Sequence, residues 1–349
     1  MARPIRNPPN PWATAEVEWL GEPPPARLEV FEERARSVLT ANDSPDLALR
    51  WSVNPYRGCH HGCSYCYARR SHQYLGFGAG TDFERRIVVK VNAPEALDRE
   101  LARRDLGGEP VVFSGNTDCY QPLEASYRLT RRCLAVCAAR GAAVAVITKS
   151  ALVRRDVDLL AALAARGLAS VCVSIPVADE EVARGLEPWA ARPALRFETL
   201  RELSSAGIPT AVSLAPQIPA LTDHEIPRVL ELARAAGATR CFMTLVRLSG
   251  EVLPVFEERL REVFPARATR VLAAIREVRG GELNDSRYGQ RLRGAGPRWD
   301  AIEALFRLHA RRLGFAVGEE VTDRPKGPTH ARGRQGALFD GSCPASTGE

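Results

Sequence analysis

One stretch limits what this chain can become more than any other: Asn54-Pro55-Tyr56-Arg57-Gly58-Cys59-His60-His61-Gly62-Cys63-Ser64-Tyr65-Cys66-Tyr67. Its three cysteines, Cys59, Cys63 and Cys66, stand at the spacing Cys-x3-Cys-x2-Cys, and Tyr65 directly precedes the last. Three thiolates this close together suit three irons of a cubane cluster, whereas iron–sulfur clusters are normally held by four cysteines. The loop contains no fourth cysteine, so one iron is left for an outside ligand, much as catalytic metal sites keep a position open. Gly58 and Gly62 give the backbone the freedom to curl around such a cluster.

Two other readings of the loop stay open at this level. Zinc accepts Cys3His sets, and His60 or His61 offers the fourth donor. Against it, the spacing is not a usual zinc spacing, no second Cys-x2-Cys or histidine pair follows, and a histidine just after Cys59 strains to reach a metal that Cys59 binds. A disulfide leaves an odd cysteine and needs an oxidising compartment.

Composition sets the broad class. The chain has 349 residues, 45% hydrophobic and 26% charged, enough apolar material for a real core in one large α/β domain or two small ones. Met1–Pro9 has no apolar stretch behind its charges, so it does not read as a secretory signal, and no run of about 18 apolar residues suggests a membrane span. Nine cysteines without an export signal point to the reducing cytoplasm. A formal charge of +6 is compatible with a nucleic-acid partner, and an arginine-rich composition gives the same number.

Residues 1–45 are rich in proline and charge and read as an N-terminal arm or a partly disordered tail, with a helical stretch around Leu28–Leu39. Leu47–Asn54 alternates as a strand that delivers the cysteine loop, and Arg86–Val91 is strand-like before a helix over Ala93–Arg104. A repeating beat follows. Strands Val111–Ser114, Ala143–Thr148, Ser170–Ile175, Thr210–Leu214 and Thr239–Val246 alternate with helices Ala125–Ala139, Val157–Ala165, Pro193–Ala206 and Asp223–Ala236. Short apolar runs alternating with amphipathic helices predict βαβ units and a parallel sheet, an α/β fold whose curvature the pattern does not fix. We therefore divide the chain into an arm (1–45), a core barrel (46–250), a helical C-terminal extension (251–324, with helices Pro254–Val263, Ala268–Val278 and Pro297–Leu313) and a disordered Gly/Pro/Arg-rich tail (325–349).

Functional groups in parallel α/β folds gather at the C-terminal ends of strands. Here those ends carry Ser114-Gly115-Asn116-Thr117-Asp118-Cys119-Tyr120-Gln121-Pro122, Thr148-Lys149-Ser150, Ser174-Ile175-Pro176, Pro216-Gln217-Ile218-Pro219 and Thr244-Leu245-Val246-Arg247. Any one of them alone reads as an ordinary polar loop. Five in phase with the cysteine loop read as one rim.

The cysteine loop resembles the signature of the radical S-adenosylmethionine (SAM) superfamily. The order Asn-Pro-Tyr-Arg-Gly-Cys, Thr-Asp-x-Tyr-Gln-Pro-x-Glu and Thr-Lys-Ser, covering about Ser44 to Gly314, resembles a bacterial branch related to spore photoproduct lyase. The resemblance implies an open partial (β/α)6 barrel with a helical C-terminal extension, a [4Fe-4S] cluster on Cys59, Cys63 and Cys66, and SAM chelating the open iron. It also implies reductive cleavage of SAM to a 5′-deoxyadenosyl radical and an external electron donor of the flavodoxin or ferredoxin type. By the same resemblance Tyr65 lies beside the adenine, while Asn116, Thr117, Lys149 and Ser174 bind the cofactor. Asp118, Gln121 and Glu124 are candidates for SAM or substrate hydrogen bonding, and Glu187-Pro188 with Arg196 is a family-like pattern of unassigned role. Photoproduct lyases carry a hydrogen-donating cysteine where Gly115 aligns, so lyase activity on damaged DNA is not implied. Cys119 is the candidate replacement if its loop turns it inward, whereas Cys133, Cys137, Cys172 and Cys241 read as small core residues. Gln335-Gly336-Ala337-Leu338-Phe339 loosely resembles a bacterial sliding-clamp-binding peptide. The expectation is a radical SAM enzyme abstracting hydrogen from an unidentified substrate, with nucleic acid leading. The alternative from another class is a non-catalytic nucleic-acid-binding protein stapled by a metal.

Overall fold

The computed structural model describes residues 27–46 and 49–317. In chain order it begins with strands β1 (Glu29–Glu33), β2 (Leu39–Ala41), β3 (Trp51–Val53) and β4 (Tyr56–Arg57). The cysteine loop follows and runs into 3-10 turns over Tyr67–Leu75. Then come helix α1 (Thr81–Arg85), strand β5 (Arg86–Lys90), helix α2 (Ala93–Leu101) and strand β6 (Val111–Phe113). The alternating part continues with α3 (Glu124–Tyr127), α4 (Leu129–Arg140), β7 (Val144–Thr148), α5 (Val157–Ala164), β8 (Ala169–Ser174), α6 (Glu180–Leu186) and α7 (Pro193–Ser205). It closes with β9 (Thr210–Gln217), α8 (Ile226–Ala235), β10 (Arg240–Leu245), α9 (Val252–Val263), α10 (Pro265–Val278), α11 (Pro297–Arg312) and β11 (Ala316–Val317).

The large sheet has the order β11-β10-β9-β8-β7-β6-β3-β2. All its neighbours are parallel except the β2–β3 pair. Its six consecutive parallel strands β3, β6, β7, β8, β9 and β10 are the six read from the sequence, and among the described residues the sheet does not close on itself. This is an open α/β partial barrel. Val111, Val112 and Phe113 are all fully buried, as expected for a central parallel strand covered on both faces. One hydrophobic core runs from Val38 on the arm side to Phe315 beyond α11.

Three differences from the sequence expectations have physical causes. The stretch around Leu28–Leu39 is not helical: β1 pairs in parallel with β5, Glu29 opposite Arg86 through Glu33 opposite Lys90, and β2 pairs with β3. Leu28-Glu29-Val30-Phe31-Glu32-Glu33 has no helix cap to compete with a free strand edge, and tertiary pairing overrides its weak local preference. The segment Arg86–Val91 is a strand, but it is the centre of a separate three-stranded sheet, β1-β5-β4, which braces the cysteine loop. The helix expected over Ala125–Ala139 is two helices, because Arg128 takes a left-handed conformation (φ 53°) between α3 and α4. The helical extension is present as α9, α10 and α11, and it ends by adding β11 to the edge of β10. The tail peptide Gln335–Phe339 lies outside the described residues.

Candidate active site

Because the six strands are parallel, their C-terminal ends reach the same rim, and β3 leads to the cysteine loop there. The loop is held from beneath. Gly58 takes a positive φ of 77°, and a Cβ there comes within 2.9 Å of the Phe83 carbonyl, so only glycine suits the close approach. The Cys59 N–H donates to that same carbonyl at 2.9 Å. Gln121, fully buried, clamps the loop twice: its Oε1 accepts from the His60 N–H at 3.0 Å, and its Nε2 donates to the Gly58 carbonyl at 3.0 Å.

The organising residue that the sequence reading missed is Arg69. Its guanidinium is completely buried, pairs with Glu84, and donates to the carbonyls of Gly62, Cys63, Ala79 and Gly80 at 2.8–3.2 Å. Cys63 and its predecessor are thereby fixed through their backbone. Nothing in Ala68-Arg69-Arg70 marks the middle residue as buried, so no local signal was present to find it.

Cys59 and Cys63 are buried, Cys66 is partly so, and all three are free thiols. Burial pushes the Cys63 thiol well up. Lys149 opposes that rise, while Glu187, Cys66 and Cys59 add to it. Burial likewise raises Cys66, with Cys59 adding to the effect. The raised Cys63 and Cys66 thiols, beside Cys59 and out of water, fit a cationic iron–sulfur cluster, which makes thiolates of its ligands. Among the described residues no three His, Cys, Asp or Glu side chains converge as a single metal ion requires, whereas a cubane takes one thiolate per iron. The donor set therefore fits the cluster better than a Cys3His zinc centre.

Beside Cys63 sits a chain of buried polar groups. The Tyr65 hydroxyl donates to Glu187 Oε1, and Arg196 grips Glu187 Oε2. The Arg196 Nη1 donates to the Ser174 carbonyl at 3.0 Å. Lys149 Nζ lies 4.0 Å from Glu187 Oε1 and 5.7 Å from the centre of the Tyr65 ring. Burial raises the Glu187 carboxyl while Arg196 opposes it. The fold thus brings Tyr65, Lys149 and Ser174 together, with Glu187 and Arg196 joining them.

The loop after β6 is used differently. Asp118 accepts from the Thr148 hydroxyl (2.7 Å) and the Lys149 N–H (2.8 Å) and faces His61 at 3.4 Å. Burial raises its carboxyl, but His61 and these donors outweigh that and hold it at about 2. Burial pushes the His61 imidazole down, and Cys59 and Asp118 bring it up to about 10. Asn116 donates to Ser71 at 3.0 Å and is held through its N–H by Asn54. The buried Thr117 hydroxyl donates to the Tyr56 carbonyl at 2.8 Å. Glu124 is fully buried against Tyr56, Arg155 and the first amides of α4. Asp118, Gln121 and Glu124 therefore spend their polar atoms on joining the loops to one another. Cys119 is completely buried in the hydrophobic core, its thiol pushed well up by burial and Asp118. A Cβ at Gly115 would lie 2.6 Å from Ser52 Cβ, so this position has no room for a cysteine unless Ser52 moves.

Comparison with known proteins follows this geometry. The family model described as Radical SAM superfamily matches residues 53–233, from the end of β3 into α8. An uncharacterized protein of Mycobacterium tuberculosis is 37% identical over 226 residues, covering 64% of this chain and 66% of that protein. A radical SAM Nalpha-GlyT isomerase of Pseudomonas phage M6 is 24% identical over 221 residues, 62% of this chain and 44% of that protein. Among solved structures, spore photoproduct lyase complexed with dinucleoside spore photoproduct superposes with a TM-score of 0.59 at 17% identity, covering 82% of this chain and 81% of that one. The lyase likeness establishes a shared fold. Nothing in these matches supports a non-catalytic staple. With the model spanning more than half of its length and centred on the cysteine loop, the chain belongs to the radical SAM superfamily.

Proposed function

We propose that the protein is an enzyme that abstracts hydrogen from a substrate held over the strand-end rim, with a nucleic acid as the leading substrate class. Cys59, Cys63 and Cys66 hold a [4Fe-4S] cluster in this reading, and Tyr65, Lys149 and Ser174 line the place of SAM. When bound, the reduced cluster and SAM supply one-electron chemistry, cleaving the sulfonium to a 5′-deoxyadenosyl radical. The residues of the chain position and shield that chemistry. Arg69 fixes the backbone of the cysteine loop, Glu187 orients Tyr65, and Lys149 offers a cation to an anionic carboxylate. An external reductant of the flavodoxin or ferredoxin type feeds the cluster. Asn116 and Thr117 act here from the loop backbone, since their side chains are committed to Ser71 and Tyr56. Cys119 is not assigned a role.

The observation that carries the reading is the buried Arg196–Glu187–Tyr65 chain beside Cys63, with Lys149 4.0 Å away. A structural staple has no need of it. The nucleic-acid component rests on the +6 charge and on likeness to a lyase whose structure holds a dinucleoside photoproduct. The core in this reading spans 46–250, flanked by the 1–45 arm and the 251–324 extension.

The test is anaerobic reconstitution with iron and sulfide, then reduction with dithionite in the presence of SAM, following 5′-deoxyadenosine. Product from the parent and none from Cys63→Ala is the expected result. A colourless protein holding one zinc and forming no deoxyadenosine overturns the reading. DNA and RNA affinities that stay flat as salt rises would remove the nucleic-acid component alone.

A further inference from the structure

Tyr65 and Tyr67 flank Cys66 and lead to different places. Tyr65 is buried toward Glu187 and Lys149. Tyr67 is half exposed, its hydroxyl donates to the Gly115 carbonyl at 2.9 Å, and on its side of the rim it interacts electrostatically with Arg247. Arg247 stands two residues beyond the end of β10. Its Nε is shielded from water with no hydrogen-bond partner, and among the described residues no carboxylate pairs with its guanidinium.

The surroundings of Arg247 are cationic and already committed. Arg291 holds Asp46 at 2.6 Å, which occupies the carboxylate that acts on Arg247. Arg279 lies directly behind, donating to the carbonyls of Val246, Gln290, Arg291 and Arg293 at 2.8–3.0 Å with no carboxylate in its bonding set. The 284–293 segment is tied across the strand end, because the Leu245 N–H donates to the Leu292 carbonyl at 3.0 Å and the Leu248 N–H to Asn284 Oδ1 at 3.2 Å. Gly289 is tied to Asp46 at 2.7 Å in the same segment. Burial, with Arg291 adding to it, lowers the Arg247 pKa. A half-buried guanidinium whose Nε is shielded and has no acceptor, set beside like charges in a braced frame, can take an anion on its open Nη face.

We infer that Arg247 is the binding residue of an oxyanion subsite on the Tyr67 side of the rim, and that it takes a phosphate group of the substrate. This rests on the proposed function for the location of the chemistry and adds the class of substrate. Phosphate, like a carboxylate, matches the planar fork of arginine through two oxygens, and it is favoured because Arg279 behind Arg247, with no carboxylate in its bonding set, favours a dianion over a single negative charge. SAM and substrate then approach Cys66 from its two sides, one past Tyr65 and the other past Tyr67.

The experiment measures calorimetric binding of inorganic phosphate, of acetate and of a short single-stranded DNA to the reconstituted full-length protein, at matched ionic strength. Arg247→Gln, Arg247→Lys and the exposed control Arg287→Gln are compared, with melting temperatures confirming that each is folded. Phosphate is expected to bind more tightly than acetate, to weaken about tenfold or more in Arg247→Gln, and to recover only partly in Arg247→Lys. Arg287→Gln should bind like the parent. If the DNA shows the same dependence, the phosphate belongs to a nucleic-acid backbone; if only inorganic phosphate does, it belongs to a small phosphorylated substrate. Equal phosphate affinity in the parent and Arg247→Gln, or the same loss in Arg287→Gln, overturns the subsite. Deoxyadenosine formation by the parent is read separately, so a parent that cleaves SAM but does not bind phosphate refutes the subsite alone.

Discussion

Arg196 grips the Glu187 carboxylate inside the barrel, with both side chains 1% exposed, and hands a second hydrogen bond to the carbonyl of Ser174 at 3.0 Å. Two charges this deep are held by each other and by hydrogen bonds that use up their remaining polar atoms. Glu187 spends its other oxygen on Tyr65, next to Cys66. The ion pair thus connects the end of β8 to the cysteine loop.

Glu187→Ala strands a buried guanidinium and should cost about 3–5 kcal/mol of stability. Glu187→Gln keeps the hydrogen bonds to Tyr65 and Arg196 in part and should cost less. Chemical denaturation of both variants measures the difference. In equilibrium dialysis, both should bind SAM more weakly than the parent if Tyr65 needs Glu187 for its orientation.

Arg69→Met removes five donors and leaves Glu84 buried without its partner. A loss of about 3–5 kcal/mol is expected. The cysteine loop should loosen with it, so iron and sulfide content after reconstitution should fall well below that of the parent. Normal iron loading in a folded Arg69→Met protein would contradict the assigned role.

Cys63→Ala and Cys59→Ala remove a thiol from the proposed donor set. Each should lose the visible absorption of the reconstituted protein and most of its bound iron while retaining its far-ultraviolet spectrum. A variant that keeps full iron and sulfide would argue that the missing thiol is not a ligand.

Gly115→Ala drives a Cβ to within 2.6 Å of Ser52 Cβ and should destabilise by about 1–3 kcal/mol. Ser52→Gly makes the space, so the double variant should be more stable than the sum of the single effects. A simple additive cycle would mean that the two positions do not collide.

Lys90 ends β5, the middle strand of the small sheet, 8% exposed, and burial, with Arg57 adding to it, lowers its pKa from 10.5 to about 8. The unfolded chain therefore binds the extra proton between about pH 8 and 10.5. The penalty is fully present below pH 8 and is relieved as pH rises through that window, on the order of 3 kcal/mol in all. Lys90→Met should be more stable than the parent at pH 7, and the gap should narrow toward pH 10.5. A gap that stays constant with pH would show that the lysine is not the cause.

Much of this molecule was legible in its residues. The Cys-x3-Cys-x2-Cys loop is a local pattern whose chemistry depends on spacing alone, and the strands around Val111–Phe113, Val144–Thr148 and Ala169–Ser174 are apolar runs that a parallel sheet requires. Their order along the chain, with helices between, also implied that the strand ends share a rim. Tertiary structure decided what each rim residue does. Thr117, Gln121 and Glu124 look like binding groups in the sequence, yet their side chains hold loops together, because a buried polar atom takes whatever partner packing brings to it. Arg69, Arg196 and Arg247 look alike in the sequence as arginines. The first meets four backbone carbonyls and Glu84, the second a buried carboxylate and the Ser174 carbonyl, and the third leaves its shielded Nε without a hydrogen-bond partner. Spacing determines which residues share a local motif, but the partner of a charge comes from segments distant in the chain and is set only when the chain has folded.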